Sequence, residues 1–147
     1  MLDDSDRVLL FRGADPDQPT TRFWFPTGGG IESGESAEDA AHREVLEETG
    51  LKEIALGPHI WNRRHVFKFY GKYQDVREIW FFARVRAFTV VTSGFTEIEK
   101  EIVKEVRWWT IAELEETTDV LTPRNLAFLI RDLLLNGLPT EPIEVPV

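Results

Sequence analysis

An apolar run, Val8-Leu9-Leu10-Phe11 between two arginines, predicts a buried strand over residues 7–12. Turn formers fill residues 13–21, and 22–25 reads as a short second strand. Pro26-Thr27-Gly28-Gly29-Gly30 is too rich in glycine for an element interior, so it is a loop whose backbone needs freedom or a close approach to something. Ser36 is a good N-cap, Asp39 three residues on gives an aspartate form of the capping box, and Gly50 is placed to stop a helix over 37–49. Aromatic and β-branched residues predict strands over 61–70 and 75–87, turning at Gly71-Lys72, with 88–92 as an extension of that sheet. Residues 96–104 read as a short acidic helix and 106–109 as a strand. Thr110 and Glu113 form a capping box for a helix to residue 116. Thr122-Pro123 opens a last helix with apolar Leu126, Phe128, Leu129, Ile130, Leu133 and Leu134, stopped at Asn136-Gly137. A Pro-rich tail, 138–147, is expected to run over the surface. Strands alternating with helices, some joined by hairpins, predict an α/β fold: one domain over 1–147, with a mixed β-sheet and helices on both faces.

Composition sharpens this picture mainly by exclusion. At 147 residues and 42% hydrophobic, the chain can bury a core without staples, and with Cys 0 it has none. Disulfide frameworks, thiolate metal sites and cysteine nucleophiles are therefore absent. Lys+Arg 17 against Asp+Glu 26 gives a net charge of -9, which disfavours a nucleic-acid platform and means that a small anionic substrate needs metal help. Asp3, Asp4 and Asp6 make the N-terminus acidic where a secretory signal is basic, and no apolar run approaches the roughly 18 residues of a membrane span. The expectation is a soluble, cytoplasmic protein.

The informative chemistry lies on the first helix. At about 100° per residue, Glu44, Glu47 and Glu48 fall within an arc of roughly 100°, although like charges at i,i+3 and i,i+4 repel. The small residues Ala37, Ala40 and Ala41 share the same broad sector, so the acidic face is expected to point inward. Such a face needs cations, and clustered oxygen donors beside a glycine loop suit Mg²⁺ or Mn²⁺. For an isolated E-x-x-E-E the alternative is a solvated helix face, with Arg43 pairing to Glu47.

The flanks decide between these readings. Gly29, Glu35, Arg43, Glu44, Val45, Glu47, Glu48, Gly50 and Leu51 fill every fixed position of the pattern G-x5-E-x7-R-E-U-x-E-E-x-G-U, with U aliphatic, so the chain resembles the Nudix hydrolase family. The resemblance implies an α/β/α sandwich that hydrolyses a phosphoanhydride in a nucleoside diphosphate linked to another group, with Mg²⁺ or Mn²⁺ as cofactor. It implies Glu44, Glu47 and Glu48 as metal ligands, with Glu44 or Glu47 also deprotonating or orienting the attacking water, and Gly28 offering a backbone carbonyl. Glu35 and Arg43 match positions that pair and hold the loop on the helix. A further metal-binding or basic Glu is implied in a later loop, where Glu97, Glu99, Glu101 and Glu105 all qualify; Glu105 is preferred, then Glu101. A small nucleotide-type molecule is the expected partner, and a homodimer is among the assemblies implied.

The chain departs from the family pattern in two places. Pro26 stands one residue early, with Thr27 directly before the glycines, and only six residues precede the first strand, so a strand usual upstream is read as truncated or absent. Arg22 and Trp24, just before the loop, are candidates for binding a base or phosphate, although Trp24 also suits the core. Within Arg63-Arg64-His65, Arg64 is the candidate phosphate contact, a solvated turn being the alternative. Phe67, Phe69, Trp80 and Phe82 are assigned to core packing, and His42, His59 and His65 lack metal-ligand spacing. The proline expected of ADP-ribose pyrophosphatases is missing, and Tyr70 lies near a tyrosine of diadenosine-polyphosphate hydrolases, which leaves the nucleotide open. A Nudix-fold binding or regulatory module without activity is the alternative reading; its mark would be a degenerate motif, and here the motif is complete. Isomerase chemistry of the same fold relies on a cysteine that this sequence lacks, and no EF-hand loop is present.

Overall fold

The structure, a computed structural model, describes every residue except 16, 17, 70, 96 and 147, and the side chains of 15, 18, 19, 21, 69, 98, 99 and 101 are likewise outside the described set. In chain order the elements are β1 (Val8–Asp15), β2 (Gln18–Phe25), α1 (Ala37–Thr49), β3 (Leu56–Phe69), β4 (Lys72–Ala83) and α2 (Glu97–Ile102). There follow β5 (Val103–Trp109), α3 (Ile111–Glu116), β6 (Val120–Leu121), α4 (Leu126–Asn136) and β7 (Ile143–Glu144).

All four apolar residues that open β1 are buried, and their alternation explains why. Val8 and Leu10 enter one core cluster, Leu9 and Phe11 the other, as a period-2 strand covered on both faces requires. β1 is accordingly central: it pairs antiparallel with β2 on one side and β5 on the other. The pairing forms two sheets where the sequence suggested one, β5-β1-β2-β6 and β4-β3-β7. Both are mixed, because β6 and β7 each add in parallel. Upstream of β1, buried Leu2 bridges Val8 antiparallel and Arg84 parallel, so its backbone links the ends of the two sheets.

Several boundaries differ from the sequence expectation. Much of 13–21 is hairpin rather than loop, because the ladder continues through Gly13↔Phe23 and Ala14↔Arg22. β4 stops at Ala83, and 85–92 adds no strand: Phe88 packs edge-on against Trp108 at 5.7 Å, and Val90 joins it in covering the second core cluster. The acidic helix is short because β5 begins at Val103. On α4, Leu126, Leu129, Ile130 and Leu133 make the i, i+3, i+4, i+7 stripe and are buried. Phe128 and Leu134, also apolar, fall off that stripe and are 66% and 36% exposed. The tail is also more than surface chain, since β7 pairs with Trp61 and Asn62 and Val145 is buried beside it. Trp80 and Phe82 pack on the core as expected. Phe67 is instead exposed and stacks on His65 at 4.9 Å; the Phe69 side chain lies outside the described residues.

Candidate functional site

Local sequence sets α1 where the site needs it. Ser36 Oγ accepts the Asp39 N–H at 3.1 Å, and its own hydroxyl donates to the Asp39 carboxylate at 2.7 Å, so the aspartate version of the box closes through the hydroxyl and not the Ser36 N–H. At the other end Gly50 takes φ 74, a left-handed value that suits glycine, and its N–H returns to Leu46 O. The helix therefore presents its acidic sector in one fixed direction. Glu44 and Glu48 are 7% and 3% exposed, while the Glu47 side chain stays 42% exposed. Burying two carboxylates on consecutive turns is costly unless positive charge or hydrogen-bond donors reach them.

Arg43 supplies much of that compensation. Its Nε and Nη2 grip the two Glu35 oxygens at 2.9 and 3.0 Å, and Nη2 also donates to Gly30 O at 2.8 Å. Nη1 donates to Glu44 at 2.6 Å and, more loosely, to Glu47 at 3.4 Å. One guanidinium thus ties the glycine loop to the helix and is shared by three carboxylates. Glu35 is held below the usual carboxylate range, first by the Arg43 hydrogen bonds and then by the Glu32 N–H; Arg43 is held further toward its charged form, chiefly by Glu35 and then Glu44. Glu48 is met from the loop by the Gly28 N–H at 3.0 Å. A Cβ at Gly29 would overlap the Glu44 carboxylate, so any side chain there must push that carboxylate aside.

Glu44 and the glycine loop line a cleft of ≈ 640 Å³, walled further by Ala37, Ala40 and Ala41 of α1, the inner face of β3–β4, and α4; Glu35, Arg43, Glu47 and Glu48 stand behind or beside Glu44 and do not line it. The donor set suits a hard divalent ion, being oxygen-only, largely withdrawn from bulk water and in excess over the cations beside it. Among the described residues no three acidic or imidazole side chains already converge on one point, and Arg43 meanwhile provides counter-charge to Glu44 and Glu47.

The other sequence candidates scatter. Glu105 on β5 pairs with Arg12 across the ladder at 3.1 Å and does not join the α1 carboxylates in a metal-binding group. Glu97 is exposed and pairs with Lys100, while the side chains of Glu99 and Glu101, and Tyr70 altogether, lie outside the described residues. Arg22 is exposed on β2 and does not line the cleft. Trp24 is a core residue, the alternative the sequence also allowed: its indole packs edge-on against Trp109 at 4.8 Å, its N–H donates to Asp119 at 2.8 Å, and it does not line the cleft. Arg64 does not line it either. It points away from the cleft, exposed, and forks onto Asp75 at 2.9 and 2.7 Å.

Its neighbour Arg63, turned to the opposite face by strand alternation, is the arginine that lines the cleft. Arg63 sits directly opposite Glu78 and grips both its oxygens, at 2.8 and 2.9 Å. Trp80 Nε1 and His65 Nε2 each complete the carboxylate at 2.8 Å. Burial pushes the Glu78 carboxyl up, but the Arg63 hydrogen bonds and charge, followed by Trp80 and His65, together hold it below the usual range. Sequence reasoning missed Glu78, and the signal available was register: a two-residue connection at 70–71 sets Phe69 opposite Lys72 and therefore Arg63 opposite Glu78. Thr27, in the place before the glycines, also lines the cleft, and its buried Oγ1 has no hydrogen-bond partner among the described residues.

With the geometry established, the chain was compared with known proteins. A family model described as NUDIX domain matches residues 1–129. Among curated proteins, a putative 8-oxo-dGTP diphosphatase of Bacillus subtilis is 44% identical over 74 residues, 46% of this chain and 46% of that one. An uncharacterised Nudix hydrolase of the same organism is 28% identical over 118 residues, 78% of this chain and 65% of that one. The matches thus span less than two thirds of either relative. Among solved structures, the E. coli dihydroneopterin triphosphate pyrophosphohydrolase aligns with TM-score 0.62 over 90% of this chain and 88% of that one, at 23% identity, which speaks for the fold.

Proposed function

The chain belongs to the NUDIX domain family, and from that premise we propose that it hydrolyses a phosphoanhydride bond in a nucleoside diphosphate linked to a further moiety, assisted by Mg²⁺ or Mn²⁺. One observation carries the reading: two buried carboxylates, Glu44 and Glu48, flank a third, Glu47, on the helix face beside a glycine loop and a cleft. Surplus negative charge in such a place is an arrangement for taking up cations, and a cation in turn makes room for a polyphosphate in a protein of net charge -9. The names of proteins this chain resembles, a putative diphosphatase and a pyrophosphohydrolase among them, support the same class of reaction.

In this reading Glu44, Glu47 and Glu48 hold the ion, with the Gly28 carbonyl as a further oxygen donor. The ion's contribution is to neutralise phosphate oxygens and to favour an ionised water nucleophile. The protein's own part is positional. Arg43 and Glu35 fix the loop against α1, so that glycine backbone can approach phosphate closely. Glu47, the most accessible of the three carboxylates, or Glu44 takes the proton of the attacking water. The test is a panel of nucleotide sugars, dinucleotides and (deoxy)nucleoside triphosphates incubated with and without Mg²⁺. A mononucleotide product that appears only with metal supports the assignment and, by its identity, locates the broken bond. No product from any member overturns it.

A further inference from the structure

Between β4 and α2 the chain crosses the C-terminal turn of α1, and the hydrolytic reading leaves that contact unused. The Val91 N–H donates to Thr49 O at 2.9 Å, so it satisfies one of the carbonyls that a helix end leaves without an intrahelical partner. Phe95 is buried in the second core cluster, its ring 6.1 Å from that of Phe11, and its N–H returns to Thr92 O at 3.2 Å. Between these two anchors Gly94 lies against the backbone of Glu47.

A Cβ on Gly94 would fall 2.4 Å from Glu47 O, 2.9 Å from its Cα and 3.0 Å from its carbonyl carbon. Nonbonded carbons rest roughly 3.5–4.0 Å apart, so a methyl group there is about 1 Å too near. All three atoms it meets are backbone. At Gly29 the crowded atoms end a flexible side chain that can swing aside; at Gly94 relief requires the segment and the helix turn to part. The segment is held on both sides of Gly94, and Val91 is bonded to the last residue of the helix, so strain introduced there reaches the turn from which Glu47 and Glu48 project. Gly50, just past that turn, is closed in by the same segment: a Cβ on it would meet Val91 Cβ at 3.0 Å.

We propose that Gly94 is a positioning residue for the acidic turn of α1: it lets residues 91–95 seat on the Glu47 backbone, and that seat sets where Glu47 and Glu48 stand relative to the glycine loop. The proposal rests on the reading of those carboxylates as ion ligands and adds what holds them in place. Arg43 and the Gly28 N–H fix their side chains, and the 91–95 segment fixes the backbone that carries them.

Mn²⁺ titrated into the intact protein and followed by electron paramagnetic resonance reads the carboxylates without any turnover. Gly94→Ala is expected to weaken Mn²⁺ about 10- to 100-fold, the usual cost of disturbing the groups that orient a metal's ligands. Gly57→Ala is the matched control, since its Cβ would crowd the Phe82 carbonyl oxygen at 2.8 Å, also a backbone neighbour but on the β3–β4 hairpin. It is expected to lower Tm as Gly94→Ala does and to leave Mn²⁺ affinity within about twofold of the wild type. Thermal melts establish that each variant is folded at the temperature of the titration. Should Gly94→Ala not fold, Phe95→Leu slackens the same anchor without adding an atom beside α1, and is expected to weaken Mn²⁺ about two- to fivefold. Unchanged affinity in the folded Gly94→Ala protein, or in Phe95→Leu where it stands in, removes the positioning role and leaves the ion reading intact. Equal weakening by Gly57→Ala and Gly94→Ala also overturns the proposal. A wild type that takes up no Mn²⁺ overturns the proposal and the ion reading together.

Discussion

Two charged clusters reach the same cleft, one through Glu44 and the other through Arg63 and Glu78, and they are balanced in opposite ways. At α1, Glu44 and Glu47, with Glu35 from the loop before the helix, share the single guanidinium of Arg43, and Glu48 adds a further carboxylate met by a backbone N–H. On the hairpin, one carboxylate, Glu78, is shared by Arg63, His65 and Trp80. The first cluster gathers carboxylates around one guanidinium and the second gathers donors around one carboxylate. An excess of carboxylates beside a glycine loop is what a divalent cation would offset, whereas Glu78 is already met by donors on both oxygens.

The comparison is broken most severely by removing charge from the acceptor-rich cluster. Glu48→Gln keeps an oxygen for the Gly28 N–H but loses the charge, and turnover is expected to fall by a factor on the order of 10²–10³ or more, with circular dichroism unchanged. Turnover within twofold of the wild type would remove Glu48 from the site. A smaller effect is expected from Gly29→Ala, whose new methyl must displace the Glu44 carboxylate. Because that carboxylate ends a flexible side chain, the displacement should appear as a loss of turnover of roughly tenfold to a hundredfold, with little change in Tm.

Acid should weaken both clusters. Glu78 and Glu35 both ionise below the ordinary carboxylate range of about 4.3. Between the unfolded and folded values the unfolded chain binds more protons, so the stabilisation is complete above the unfolded value and is lost as pH falls through the folded one. Thermal melts from pH 6 down to pH 3 should show this decline, and Glu78→Gln and Glu35→Gln should each flatten it. The smallest effect is expected one residue from the hairpin cluster. Arg64→Ala removes an exposed pair with Asp75, and both Tm and turnover should match the wild type, in contrast to Arg63.

What the sequence made legible divides along the same line. The α1 cluster lies within one local segment, so caps, periodicity and a fixed spacing were enough to place Glu44, Glu48, Arg43 and Glu35 together. The hairpin cluster joins positions fifteen residues apart, and strand register decides whether Arg63 or Arg64 faces inward. Read as a basic tripeptide, the two arginines are equivalent; read as alternate faces of a strand, one joins Trp61 on the inner side and the other does not. For Trp24 the sequence left two readings open, because nearness in sequence to the glycine loop is not nearness in space: its partners, Trp109 and Asp119, lie far along the chain. Glu105 faces Arg12 because β1 and β5 pair, a long-range choice with no local signature. β6 and β7 are two residues each and are defined only by the strands they join.

The central claim is that the α1 carboxylates take up a divalent ion. Electron paramagnetic resonance of Mn²⁺ titrated into the protein, with and without a nucleotide, tests it most directly, because free and bound Mn²⁺ are counted separately. Saturable binding by the wild type, weakened at least tenfold in Glu48→Gln, is the expected result. Mn²⁺ that stays free at all protein concentrations, or that binds the wild type and Glu48→Gln equally, would contradict the account.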